Sequence, residues 1–83
     1  MADPVVVEMA NKLAEECLAV QAETGEDRLF MKLGDVLGAS SQTLEEAFLT
    51  AVRTRMANDQ GRAFLRKTLK DHRVAKQQEG GNG

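Results

Sequence analysis

The groups best suited to nucleophilic chemistry in this chain of 83 residues are its single cysteine, Cys17, and its single histidine, His72. A catalytic thiol needs a base beside it and a lowered pKa. Cys17 instead recurs at helical spacing with Leu13 and Val20, and a free cysteine in such a stripe behaves as a small hydrophobic residue. His72 also falls on the apolar side of its helical segment. We therefore expect both side chains to be packing residues.

Adjacent glutamates occur twice, as Glu15-Glu16 and Glu45-Glu46. Neighbours on a helix point about 100° apart, so neither pair makes a ready two-carboxylate site. The chain also has no cysteine and histidine set with zinc-site spacing, no glycine-rich phosphate loop and no serine triad order. The sequence predicts a protein that is not an enzyme and that binds no metal and no cofactor.

The net charge of −2 hides a strong asymmetry along the chain. Residues 1–52 contain ten acidic and three basic residues, a charge of −7, whereas residues 53–83 contain eight basic and three acidic residues, a charge of +5. Opposed halves of this kind predict an acidic face and a basic face that contact each other or contact partners.

Basic residues of the second half share one side of a helix when they are plotted at about 100° per residue. They are Arg62, Arg66, Lys70 and Arg73, which we call the basic stripe. The opposite side carries Phe64, Leu65, Thr68, Leu69, His72 and Ala75. A basic stripe can bind phosphates, an anionic membrane surface or an acidic protein. A plainer interpretation is a solvated face that is partly paired with the acidic first helix.

Membrane and single-strand binding are both disfavoured for the basic stripe. We expect the apolar side of this helix to be needed for the core, and the chain has no tryptophan to anchor it at a bilayer. Its three phenylalanines also lie in apolar stripes, so they are not free to stack on bases. The sequence therefore predicts a protein partner and no membrane, with nucleic acid as a less favoured partner.

The most specific local pattern spans residues 33–47. It has a small residue at Gly34, a glycine four positions later at Gly38 and an apolar residue six positions beyond that at Leu44. Gly34 would let two helices cross closely, and Gly38 would supply a sharp turn between them. The pattern therefore predicts a helix corner.

This corner resembles the core of helix-turn-helix DNA-binding domains. The resemblance implies that a second helix presents residues to the major groove, and the expected DNA contacts are Ser41, Gln42, Arg53 and Arg55. Glu45 and Glu46 would face the same polyanion, whereas base and phosphate contacts come mainly from basic and neutral polar side chains. A generic helix corner, or the same geometry used for protein contact, are the alternatives.

Two helices are indicated in the first half of the chain. Asp3 followed by Pro4 is typical of a helix start, and Gly25 can end that helix in the left-handed conformation. A second helix is expected from Asp27, as its N-cap, to about Leu37.

The second half of the chain carries two more helical segments. Thr43 and Glu46 have capping-box spacing, which predicts a third helix that ends near Asn58. A fourth helix is expected over residues 60–76, although the break between the two is moderate and they could form one continuous helix. Residues 77–83 are polar and are expected to form a disordered tail.

These elements predict an all-α fold, a small three- or four-helix bundle in a single domain over residues 1–76. The expected core residues are Val6, Met9, Leu13, Cys17, Val20, Leu29, Leu33, Val36, Leu37, Leu44, Phe48, Val52, Met56, Phe64, Leu65 and Leu69. Because a chain of this size buries little surface and further apolar residues remain, a homodimer is also expected.

The functional expectation follows from these features together. The longest purely apolar run is three residues, which excludes a membrane span and a signal-peptide core, and one lone cysteine favours a reducing, cytoplasmic location. The sequence predicts a non-enzymatic regulatory, adaptor or accessory protein that acts through protein contacts. The alternative is a helix-turn-helix transcriptional regulator that binds DNA.

Overall fold

The protein is built from three helices. A computed structural model describes residues 3–81, with side chains for residues 3–77. The helices are α1 (Pro4–Thr24), α2 (Leu29–Gly38) and α3 (Gln42–Gly81), and the described range contains no strand. The predicted all-α class is confirmed.

Helix α1 has the ends that its sequence predicts. The Asp3 side chain accepts a hydrogen bond of 2.9 Å from the Val5 N–H, and Pro4 occupies the first turn, where its missing N–H costs nothing. At the other end Gly25 adopts φ 77°, a left-handed conformation, and its N–H donates to the Gln21 carbonyl at 2.8 Å. Both ends are therefore stabilised by local hydrogen bonds.

Helix α2 begins at Leu29, one residue after the start that an N-cap at Asp27 predicts. Its N-cap residue is Arg28, which makes no side-chain capping bond, so the prediction of Asp27 as the cap is wrong. The Phe30 N–H instead donates to Gln21 Oε1 of α1 at 2.9 Å. A side chain from another helix thus satisfies a donor that the first turn of α2 leaves without a partner.

Helix α3 begins at Gln42 and is capped by Ser41. The Ser41 hydroxyl accepts a hydrogen bond of 3.1 Å from the Leu44 N–H, and the Ser41 carbonyl accepts one of 3.0 Å from the Glu45 N–H. Thr43, which was predicted as the cap with Glu46, lies inside the first turn. Ser41 stands one position before the helix, where an oxygen acceptor is most effective.

Residues 42–81 form one continuous helix of 40 residues. The third and fourth predicted helices are therefore a single element, as the continuous alternative allowed. The helix also runs to Gly81, five residues into the segment expected as a disordered tail, whereas Asn82 and Gly83 lie outside the described residues.

Helices α1 and α2 both pack on the first part of α3. Helices α2 and α3 are antiparallel, because Gly34 lies against Leu49 while Gly38, further along α2, lies against the earlier residue Glu45. The short connection over residues 25–28 places α1 and α2 on the same part of α3.

The buried core is small and lies between α1 and α3. Its members are Ala10, Ala14, Cys17, Phe48, Ala51 and Val52. Half of them are alanines, whose small side chains let the two helices approach closely. Half-buried leucines of all three helices surround this centre.

Several residues that were predicted in the core are exposed. They are Met9, Val20, Val36, Met56, Phe64, Leu65 and Leu69. Helices α1 and α2 end before they can cover the residues of the second half of α3, and no described element covers the three residues that belong to α1 and α2. Apolar periodicity identifies a side of a helix without showing that another element covers it.

We call residues 3–55 the body and residues 56–77 the arm, since every residue of the arm is exposed. The longest dimension of the molecule is 66 Å, close to the length of about 60 Å expected for a helix of 40 residues. The radius of gyration is 18.8 Å, whereas a compact chain of this length has about 12 Å. The arm therefore projects well beyond the body.

Candidate functional site

The basic stripe lies on the arm as a continuation of the side of α3 that faces the body. A helix has about 3.6 residues per turn, so residues eighteen positions apart share a side after about five turns. This spacing relates Leu44 to Arg62, Phe48 to Arg66, Val52 to Lys70 and Arg55 to Arg73. Phe48 and Val52 are fully buried in the body. A partner helix that packs on this side of α3 next to the body would therefore contact the stripe.

The cations of the stripe make no ion pair with any residue in the range 3–77. The nearby pair on the arm, Lys67 Nζ to Asp71 Oδ2 at 3.2 Å, lies on a different side of the helix. The sequence allowed for a stripe partly paired with the acidic first helix, and the described side chains do not make that pairing. The stripe is consequently accessible to a partner.

The opposite side of the arm exposes large apolar residues. Phe64 is 68% exposed and Leu65 is 65% exposed, while Leu69 next to the stripe is 46% exposed. Membrane docking was disfavoured because this side was expected to be in the core, and that premise is wrong. Exposed apolar and basic groups on one helix are typical of a recognition element.

The helix corner at residues 33–47 packs closely, as its glycines predict. A Cβ added to Gly34 would lie 3.3 Å from Leu49 Cδ2, and one added to Gly38 would lie 2.7 Å from Glu45 Oε1. Gly38 does not take a positive φ, so its role is to make room for Glu45 rather than to form a left-handed turn. Helix α2 runs antiparallel along α3 from this corner, as in an αα-hairpin.

The four residues predicted to contact DNA have different environments. Ser41 caps α3, and Arg55 is held by α1, so both already have structural partners. Gln42 and Arg53 are exposed. They lie eleven positions, or about three turns, apart on one side of α3, where Glu46 is exposed between them. The structure does not bring the four predicted residues together on one accessible face.

Arg55 is the basic residue that joins the two halves of the chain. Its guanidinium donates to Asn11 Oδ1 at 3.2 Å and pairs with Glu15 Oε1 at 3.1 Å, both on α1. The expected contact between the acidic helix and the basic half therefore exists at Arg55, before the stripe begins.

Cys17 and His72 lie in different environments, one buried and the other exposed. Cys17 is only 3% exposed, and burial raises the pKa of its thiol because the thiolate would lose hydration. His72 is exposed on the arm, so it is not the packed residue that we expected. A raised pKa keeps the thiol protonated, which is the opposite of what a nucleophile needs.

Neither a metal centre nor a membrane span emerges from the described part of the chain. Residues 3–81 bring together no group of three or more histidine, cysteine, aspartate or glutamate side chains arranged to hold a metal ion. Among the same residues, no helix combines the length and the apolar character needed to cross a bilayer.

A second surface feature, which sequence reasoning missed, is an apolar groove between α1 and α2. Its residues are Leu13, Glu16, Cys17, Val20, Leu29, Lys32, Leu33 and Val36. We call it the α1–α2 groove. Val20 is 45% exposed and Val36 is 67% exposed, although both were predicted in the core. The available signal was the excess of apolar residues over what a single domain of this size can bury.

Comparison with known protein families, curated proteins and solved structures finds no match for this chain.

Proposed function

We propose that this chain is a small adaptor or accessory protein that acts without catalysis and binds a protein partner through the arm of α3. The observation that carries the proposal is the combination of the basic stripe with exposed apolar residues on one projecting helix. Apolar side chains such as Phe64 and Leu65 gain free energy when a partner covers them. The proposed site of action is the reducing cytosol, where the lone Cys17 stays a thiol.

The charge of the arm indicates the chemistry of the partner. Six basic and two acidic residues lie within residues 56–77, a net charge of +4. An acidic surface on the partner would steer association and fix its orientation along the stripe. An apolar centre on that surface would cover Leu65 and Leu69. We therefore propose an acidic and partly apolar helix or groove as the bound element.

Capture from native extract tests the proposal. The immobilised full-length chain should retain a partner that is lost when Arg66 and Lys70 are both changed to glutamate, and lost when Leu65→Asp is introduced. The matched control is the double variant Lys12→Glu/Arg28→Glu, which changes the charge equally at exposed positions of the body. Retention of the same partner by the stripe variant would contradict the proposal.

Binding of DNA through the corner at residues 33–47 is the second candidate. Exposed Gln42 and Arg53 favour it, but Ser41 and Arg55 would have to leave their present partners. A gel retardation assay discriminates the two functions, because duplex binding weakens by orders of magnitude between low and moderate salt. The protein-binding proposal expects no retardation at moderate salt and capture that survives nuclease treatment.

A further inference from the structure

We propose that the α1–α2 groove is the contact face of a homodimer, in which the groove of one copy packs on the groove of a second copy. This surface lies on a different part of the molecule from the arm, so the inference does not depend on the proposed function of the arm.

The groove presents a continuous apolar surface with no covering element. Val36 of α2 is 67% exposed and Val20 of α1 is 45% exposed, with half-buried Leu13, Leu29 and Leu33 beneath them. Met9, one turn before Leu13 on the same side of α1, is 49% exposed and extends the surface. A two-fold contact would bury all of these residues on both copies.

The two charged residues of the groove make it complementary to itself. Glu16 belongs to α1 and Lys32 to α2, and they line the groove from opposite sides. In a two-fold interface, when residue i of one copy meets residue j of the other, residue j of the first copy meets residue i of the second. Lys32 Nζ also lies 3.5 Å from Glu26 Oε2 of its own chain, in an exposed pair that leaves the ammonium able to contact a second carboxylate. One acid and one base of the groove can therefore form two equivalent ion pairs across the interface.

The charges also select the direction of the two-fold axis. An axis parallel to the helices places α1 of one copy against α2 of the other and brings Glu16 opposite Lys32. An axis across the helices would instead place α1 against α1, with Glu16 facing its own counterpart, and like charges that face each other are destabilising. We infer the parallel axis, which makes both arms leave the dimer at the same end.

A stable contact would have to cover a substantial share of the surface of the chain. A standard interface buries about 800 Å² on each partner, which is about an eighth of the 6638 Å² accessible surface of the chain. Helix α1 is about 30 Å long and α2 about 15 Å long, and the two lie side by side across the face. The six residues of the buried core are few for a chain of this length, so dimerisation would add apolar burial that the monomer lacks.

Analytical ultracentrifugation of the full-length chain at micromolar concentration tests the proposal. The wild type should sediment as a dimer, and Val36→Glu should sediment as a monomer with unchanged helical circular dichroism. Phe64→Glu is the matched control, because Phe64 is 68% exposed but lies on the arm. It should remain a dimer.

A charge exchange tests the axis. Glu16→Lys alone and Lys32→Glu alone should each raise the Kd of the dimer by about fivefold or more, as expected for lost or repelling exposed pairs. The chain that carries both changes should return to the wild-type Kd, because the pairs re-form in reverse.

Three results would overturn the proposal. The first is a monomeric wild type throughout the micromolar range. The second is a Val36→Glu chain that still dimerises. The third is dissociation by Phe64→Glu, which would place the arm of a second copy in the interface. Failure of the charge exchange to restore the Kd would overturn the parallel axis.

Discussion

Arg55 Nη2 lies 3.1 Å from Glu15 Oε1 and ties α3 to α1 at the point where the body ends and the arm begins. The Arg55 side chain is 30% exposed, whereas that of Glu15 is 69% exposed. The same guanidinium donates to Asn11 Oδ1 at 3.2 Å and to the Ala51 carbonyl at 3.4 Å. Arg55 therefore contributes hydrogen bonds and packing as well as a positive charge. It lies in the last turn of α3 that forms side-chain hydrogen bonds with α1.

Changing Arg55 should destabilise the fold more than changing its acidic partner. Arg55→Ala removes all three hydrogen bonds and the packing of the aliphatic stem, so we expect a loss of about 1–2 kcal/mol in the free energy of unfolding. Glu15→Gln removes only a largely exposed ion pair, worth about 0–1 kcal/mol. Urea denaturation of the two variants measures the difference. Equal losses would show that the pair alone accounts for the role of Arg55.

Phe48 and Phe64 should respond in opposite ways to the same substitution. Phe48 is fully buried, and Phe48→Ala should cost about 3–5 kcal/mol, which approaches the whole stability of a chain this small. Phe64 is 68% exposed on the arm, and Phe64→Ala should change stability by less than about 0.5 kcal/mol. Thermal unfolding followed by circular dichroism compares them. A large effect of Phe64→Ala would mean that the arm is covered in solution.

The continuous helix α3 makes Gly61 a test of how the arm is joined to the body. Gly61 has open space around its Cα, so Gly61→Ala should stabilise the arm by up to about 1 kcal/mol through helix propensity alone. Gly61→Pro should break the helix there, at about 3 kcal/mol. Because every residue from Gly61 to Gln77 is exposed, the proline variant should lose arm helicity while the body keeps its unfolding midpoint. A body that unfolds together with the arm would contradict this picture.

Gln21 of α1 should stabilise the protein by accepting a hydrogen bond from the first turn of α2. Its Oε1 accepts the Phe30 N–H at 2.9 Å, and Gln21→Leu would leave that donor without a partner at the start of α2. We expect a loss of about 1 kcal/mol or more, since an unsatisfied, partly buried donor is costly. Gln60→Leu on the exposed arm is the control and should have little effect. Hydrogen exchange at the Phe30 amide reports the lost bond directly, and unchanged protection would refute the capping role.

Local signals in the sequence predicted much of the fold. Asp3, Pro4 and Gly25 determine the ends of α1 through local conformation and hydrogen bonds within a few residues, so the local sequence is enough to predict them. The start of α2 depends on Gln21, a residue of another helix, and no local rule could find it. The moderate break at residues 58–61 does not interrupt α3, because a single Gly61 costs at most about 1 kcal/mol, which neighbouring helix formers offset.

The sequence predicted which residues of the candidate site share a side of the helix, but not whether those residues are buried or exposed. Periodicity placed Arg66 and Lys70 together on one side and Leu65 on another, and these positions hold in α3. It could not show that α1 and α2 stop short of the arm, because the coverage of a stripe depends on the lengths of its neighbours. The α1–α2 groove was not predicted for the same reason. Val20 and Val36 have the spacing of core residues, but the sequence does not show that no further helix covers them.

Burial of Cys17 predicts a specific dependence of stability on pH. The folded protein raises the pKa of this thiol because burial removes water from the thiolate. As the pH rises through the ordinary thiol pKa of about 8.5, the Cys17 thiol ionises first in the unfolded chain, and this ionisation stabilises the unfolded state. The stabilising contribution is therefore complete below that pH and is lost progressively above it. Cys17→Ala, which cannot titrate, is the control. The free energy of unfolding of the wild type should fall relative to that of the variant as the pH is raised into this range, and parallel pH curves for the two proteins would rule out the effect.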